Sequence, residues 1–257
     1  MSDPRQALLA EGVLEDVTVA DAARLVDVLD EAAESHGTLT FRDVVFDRVD
    51  LRRAVLAGAR LERCRFVDCD LERAELTDLR ASGTRFYEAD GTEGVGCSFR
   101  HADLDGAAFD HCDLSLCDFG DASTFGLVLR GCTAQGLQCA GARFTRHPSR
   151  SITLTEFEAR DCNLSFAEFS RVHLEGAVLA GSRLREAVFD DVVLRGADLT
   201  GCDLSAVTAR RLDLAGADLR DATIDGLDPR RIDLAGARIN AWQAPALLEA
   251  LGLTVDP

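Results

Sequence analysis

The chain contains no lysine: all of its 28 basic residues are arginine, set against 45 acids in 257 residues. A GC-rich source genome accounts for that bias. The formal net charge of −17 excludes nucleic-acid binding by counterion release. It leaves open a protein surface that itself binds nucleic acid. No apolar stretch approaches the 18 or so residues of a membrane span, and Met1-Ser2-Asp3-Pro4-Arg5 lacks a signal peptide's apolar core. These absences predict a soluble, cytoplasmic protein without membrane contact. No C-x-x-C occurs among the nine cysteines, which disfavours zinc and redox chemistry, and an odd count argues against an oxidised framework. The five histidines form no H-E-x-x-H or i, i+4 pair, and there is no phosphate loop. The sequence therefore predicts no catalytic residue, no metal site and no cofactor.

What is present is a beat of five. Leu or Phe recurs at Phe41, Phe46, Leu51, Leu56, Leu61, Phe66, Leu71 and Leu76, and a small residue stands two places earlier, from Val44 and Val49 to Cys69 and Ala74. The beat resumes at Phe99 and holds one phase to Ile239. Leu, Phe or Ile fills 31 of 39 such slots, too many for chance. A period of five fits neither a helix nor a plain strand; it is the mark of a solenoid. Cys64, Cys69, Cys97, Cys112, Cys117, Cys132, Cys162 and Cys202 fall two before a slot and Cys139 falls on one, so the cysteines read as small interior residues.

Three stretches depart from the beat. Residues 1–38 lack it. Thr18 with Asp21 resembles a capping box, and Ala22, Leu25, Val26, Leu29 and Ala33 form one helical stripe stopped by Gly37. This predicts a helical extension that lids the first turn, or a helix for a partner. Phe86 to Phe99 spans two units plus three residues, through a glycine-rich acidic loop at 87–96. Thr145 to Ser151 keeps the phase but puts His147 and Ser149 in apolar slots, which predicts a second, basic loop at 145–151. From 241 a helix is expected with its stripe on Ala244, Leu247, Leu248 and Leu251 and its stop at Gly252, followed by a short strand over 253–255. It reads equally as an end cap or as a dimer seam involving Trp242, Leu247, Leu248 and Leu251.

Units such as Ala197-Asp198-Leu199-Thr200-Gly201 and Ala217-Asp218-Leu219-Arg220-Asp221 resemble the A(D/N)LXX motif of the pentapeptide-repeat proteins. That resemblance implies an all-β solenoid: a right-handed, quadrilateral β-helix over 39–240, four units per coil, with short helical N- and C-terminal caps. About ten coils make a rod near 45 Å long. A narrower resemblance, to the Qnr quinolone-resistance proteins, rests on several segments. These are Cys112-Asp113-Leu114-Ser115-Leu116-Cys117-Asp118-Phe119, Phe86-Tyr87, Gly96-Cys97-Ser98-Phe99, Asn163 to Ser170 and the tail from Trp242 to Leu253. Residues 1–38 and the basic second loop depart from that family. The resemblance implies binding to DNA gyrase or topoisomerase IV and its protection from fluoroquinolones, and the tail is expected to make the protein a homodimer.

The DNA mimicry implied by the resemblance is open to a charge test. Duplex DNA of about 45 Å carries roughly 26 charges, whereas residues 41–257 carry 36 acids and 26 arginines, a net −10. Mimicry then requires segregation. Stacking by 20 places Glu156, Glu175, Arg195, Asp213 and Asp233 on one acidic row, centred on Leu154, Leu174, Leu194, Leu214 and Leu234. The preceding row, centred on Phe169, Phe189, Ala209 and Pro229, stacks Asp190 and Asp191 under Arg210 and Arg211, then Arg230 and Arg231. The expected contacts are therefore the loops: Tyr87, Glu88, Asp90 and Glu93 toward a basic surface, and Arg146, His147 and Arg150 toward a second patch.

Overall fold

A computed structural model describes residues 4–20, 25–88, 94–149, 152–225 and 227–255. The five-residue beat becomes a β-helix solenoid of short parallel strands. Phe41 pairs in register with Leu61 and Leu61 with Ala81, each a step of 20 residues. Every such layer holds four five-residue units, so the slots stack into four columns. Phe41 begins the first column, Phe46 the second, Leu51 the third and Leu56 the fourth, and all four are buried. Each buried Leu or Phe contributes about 1.5–3 kcal/mol. In the second column the rings of Phe46, Phe66 and Phe86 stack at centroid distances of 4.6 and 4.7 Å.

The repeat motif is explained by its bonds. The residue before each slot is often Asp because its carboxylate accepts the N–H two residues on, as from Asp50 to Arg52 at 3.1 Å and from Asp198 to Thr200 at 3.1 Å. The slot carbonyl then accepts the N–H three residues later, as Leu51 O does from Ala54 N at 3.1 Å, closing a turn. The third residue of that turn takes positive φ, as at Arg53 (65°) and Gly58 (68°). The small residue two before a slot lies against the layer below. There the Cys64 thiol donates to Phe41 O at 3.3 Å and the Ser182 hydroxyl to Ala159 O at 2.8 Å. All nine cysteines are buried and free; burial pushes the Cys69 thiol up to about 11 and that of Cys202 to about 12. The nine thiols fill interior space, and burial makes those of Cys69 and Cys202 poor nucleophiles.

The N-terminal stretch is more than a helix. Helix α1 (Pro4–Glu11) leads into β1 (Val13–Glu15) and β2 (Thr18–Ala20), and α2 (Leu25–His36) follows. Strand β1 pairs with β3 (Thr40–Arg42) and β2 with β4 (Val45–Asp47), so Leu14 lies beneath Phe41 and Val19 beneath Phe46. Residues 1–38 thus contain two slots of the beat, and Thr18 lies in a strand and does not cap α2; Asp21 and Ala22 fall outside the described residues. Helix α2 takes the place of the other half of that layer. It buries Leu25, Leu29 and Ala32, and Asp30 accepts the N–H of Val55 in the fourth column at 3.1 Å. Edge strands leave such groups unpaired, and here the helix satisfies one of them. Gly37, at φ 74°, ends the helix with its N–H on Ala33 O at 2.8 Å.

Both interruptions are longer than their phase indicates. Ala81 pairs with Phe109, a step of 28, and Leu129 with Ala159, a step of 30. The first loop therefore inserts eight residues, not three, and Phe86 and Phe99 are consecutive slots. The second inserts ten, two whole units, so Leu154 leaves the core and is 48% exposed. Glu156 leaves the acidic row with it; its carbonyl accepts the Gly126 N–H at 2.8 Å. The remaining rows stay separate: His173, Val193, Asp213 and Asp233 follow one another in register, and Ser170, Asp190 and Arg210 form the other line. Asp191 pairs with Arg211 as the ladder requires. Arg230 and Arg231 instead turn to Asp228, at 3.0 and 3.4 Å. The third column fails there, since Ala209 and Pro229 are too small or too rigid to fill it, and a cavity of about 240 Å³ lies beside Val207, Ala209 and Leu227.

At the other end, a 3-10 turn over Ala241–Gln243 leads to α3 (Ala244–Ala250). Gln243 is 1% exposed and its amide donates to Leu219 O at 2.8 Å and Ala222 O at 2.7 Å. This glutamine, which the helical pattern does not single out, ties the tail to the last coils. Residues 253–255 form no strand. No helix among the described residues is long and apolar enough to cross a membrane.

Candidate partner interface

The two excursions are antiparallel hairpins, each opening where a regular turn would close. The first pairs Tyr87–Glu88 with Val95–Gly96 after the second column. The second pairs Thr145–Ser149 with Ile152–Thr155 after the fourth column, with a shift of register between Arg146 and Ser149. They leave the solenoid two columns apart, half-way round a layer of four.

In the first hairpin Tyr87 is half-buried and lies against Gly94, where a methyl group would sit 2.0 Å from the phenol oxygen. Only glycine leaves the ring that place. The Glu88 carboxylate meets Arg65 at 2.8 Å, so this acid is already engaged by the rod. Asp90 and Glu93 fall outside the described residues.

The second hairpin is clamped. The Arg146 guanidinium meets Asp105 at 2.7 Å and lies 4.6 Å from the centroid of the Phe125 ring. Asp105 has only 12% of its side chain exposed and also accepts from the Ser123 hydroxyl at 2.7 Å and the Phe125 N–H at 2.9 Å. The carboxylate raises the Arg146 pKa from its ordinary value, keeping it charged. Arg146 thus fixes the hairpin to the rod as well as lending charge to it. His147 Nδ1 lies 3.2 Å from the Thr153 hydroxyl, bridging the two strands. Arg150 falls outside the described residues. Ile152 and Leu154 are 49% and 48% exposed. Sequence reasoning missed them as surface residues, although His147 and Ser149 in the preceding slots are the signal that these units leave the core.

The tail exposes a third group. Trp242 is 62% exposed, Leu248 37%, Leu251 46% and Leu253 55%, whereas Leu247 packs partly against the core. On the flanks of the rod, by contrast, several acids are paired with arginine. Asp218 sits between Arg220 at 2.6 Å and Arg238 at 3.2 Å, and the Arg220 guanidinium holds its carboxyl down at about 2. Asp213 meets Arg195 at 2.7 Å. Among the described residues no cluster of His, Cys, Asp or Glu is arranged to hold a metal ion.

Stacked parallel layers, five-residue columns and Asp-closed turns define a protein class. Residues 40–66, 54–90, 95–122 and 167–205 match the pentapeptide repeats family, in eight copies. Full-length QnrB1, a plasmid-mediated fluoroquinolone resistance protein, shares this fold with a TM-score of 0.75 and 31% identity, over 84% of this chain and 100% of that one. A trypsin-treated variant of QnrB1 gives a TM-score of 0.73 at 30% identity with the same coverage. The chain belongs to the pentapeptide-repeat proteins. Within them it is Qnr-like: it is 34% identical over 133 residues to the quinolone resistance pentapeptide repeat protein QnrB96 of Scandinavium goeteborgense. It is also 32% identical over 140 residues to the pentapeptide repeat protein QnrB4 of Escherichia coli. Those matches take in 52% and 54% of this chain, and the chain spans 61% and 63% of the length of those two curated relatives.

Proposed function

We propose that the chain binds a type II DNA topoisomerase, gyrase or topoisomerase IV, and protects it from fluoroquinolone-type inhibitors by binding and not by catalysis. The observation that carries this reading is a QnrB1-like solenoid from which two hairpins project between its columns. The rod, right-handed and four-sided in this reading, is a rigid spacer that holds the hairpins half a layer apart. Tyr87, Asp90 and Glu93 address basic topoisomerase surface, on a hairpin whose Glu88 is held by Arg65. His147 and Arg150, on the hairpin anchored by Arg146, address a second patch. Binding to the drug-stalled complex disfavours the drug-bound state and lets the DNA be religated. DNA mimicry is at most one-sided and dilute, because Asp191, Asp218 and Asp228 are matched by arginine and so is Asp213 on the acidic row itself.

The test is supercoiling by purified gyrase in the presence of ciprofloxacin, with and without the protein. Restored supercoiling is expected. No rescue at any concentration would select the alternative, a repeat scaffold for another partner, which the departures at residues 1–38 and in the basic second hairpin favour.

The tail adds a homodimer to this reading. A twofold contact needs only one self-complementary apolar patch, and Trp242, Leu248 and Leu251 supply one, backed by Leu247. Trp242→Asp with Leu251→Asp is expected to convert a dimer to a monomer in sedimentation velocity. A wild-type chain that sediments as a monomer at high micromolar concentration would remove the dimer.

A further inference from the structure

The turn that follows the second column has its third residue at positive φ in successive layers. Among the described residues of the rod such positions are held by Asp, Arg, His, Glu, Ala or Gly, with two exceptions: Leu116 (φ 54°) and Phe166 (φ 62°). A large apolar side chain is poorly suited to this backbone, and burial does not repay it here, since Leu116 is 47% exposed and Phe166 52%. Backbone strain without a packing gain is a feature of binding surfaces.

The two residues share one corner. Leu116 N donates to Gln135 O and Gly136 N to Ser165 O, so Leu116, Gly136 and Phe166 occupy that corner in three successive layers. A methyl group at Gly136 would sit 2.6 Å from Leu116 Cδ2, so the leucine lies over the glycine and a notch remains before the phenylalanine. The first hairpin leaves the rod directly below. Gly96 backs onto Leu116, whose carbonyl carbon would be 2.3 Å from a methyl group there, and Val95, 56% exposed, continues the apolar line.

We propose that Val95, Leu116 and Phe166 form an apolar docking strip, continuous with the first hairpin, for an apolar patch on the topoisomerase. This rests on the topoisomerase reading above and deepens it, because it makes the contact beside the hairpin apolar and not a copy of DNA. A chain of net charge −17 does not offer such a strip to nucleic acid, and the separate apolar patch of the tail serves a second copy. Apolar anchors next to a polar hairpin match the anatomy of protein interfaces.

The test is the double variant Leu116→Gly/Phe166→Gly, since glycine is at home at positive φ. The melting midpoint is expected to stay or rise, while affinity for purified gyrase falls at least tenfold. Leu116→Asp/Phe166→Asp, using a residue that holds the same turn position at Asp121 and Asp161, is expected to bind as weakly. Gyrase affinity within twofold of wild type in both double variants would overturn the strip while leaving the topoisomerase reading intact. Loss of self-association with unchanged gyrase affinity would assign the strip to a second copy and overturn the proposal. A wild-type chain that does not bind gyrase at all would overturn the topoisomerase reading, and the strip with it.

Discussion

Excision of residues 88–95 is expected to leave the rod folded and to abolish protection of gyrase. The cut removes the eight residues by which the step from Ala81 to Phe109 exceeds 20. It leaves Phe86-Tyr87-Gly96-Cys97-Ser98-Phe99, in which the slots are again five apart. Gly96 then takes the turn position that requires positive φ, and Cys97 keeps its place two before the slot. The bond from Cys97 N to Phe86 O, 2.9 Å long, already spans the base of the hairpin, so the ends are poised to join. The ion pair of Glu88 with Arg65 is lost, but such exposed pairs contribute about 0–1 kcal/mol, and shortening a loop reduces its closure entropy cost. Circular dichroism melting should therefore move little. The supercoiling assay with ciprofloxacin should lose all rescue, because Glu88, Asp90, Glu93 and Val95 are gone. Full rescue by the excised chain would show that the first hairpin does not carry the function.

Phe66→Ala is expected to produce the largest loss of stability from a single change. Phe66 is buried, with its ring stacked between those of Phe46 and Phe86. Truncating such a ring costs about 3–5 kcal/mol, part in transfer free energy and part in the cavity left behind. Layers above and below cannot collapse into the gap, because their backbones are held in register by Arg65 N to Val44 O and Phe66 N to Arg85 O, at 2.9 and 2.8 Å. The midpoint should fall by roughly 6–20 °C. In a solenoid each layer leans on its neighbours, so hydrogen exchange should quicken first between β1 and the first hairpin and least in the coils after Phe169. A uniform loss of protection along the chain would contradict that local coupling.

Much of the rod was legible in the residues themselves. The slots from Phe41 to Leu76 and the small residues between them are buried as their spacing predicts. The nine cysteines occupy interior positions for the reason their phase implies, and Gly37 ends its helix. The candidate site was legible in outline, since both hairpins arise where the beat loses its chemistry. Its details were not. Arg146 reads as a free basic residue until Asp105 and Phe125, forty-one and twenty-one positions earlier, are folded against it. Leu116 and Phe166 stand out only once their exposure and shared corner are known.

The beat by itself determined which side chains point inward, because a period of five lets one residue in each unit be buried and closes a turn after it. It did not determine how many residues leave the rod at each interruption. A phase repeats every five positions, so three extra residues cannot be told from eight, nor none from ten. That ambiguity placed Leu154 in the core. Only the hydrogen-bond register between layers counts whole units, and it also joined Leu14 and Val19 to columns that begin again beyond α2. Layer-to-layer pairing is a contact between residues 20 or more apart, and local spacing carries no record of it.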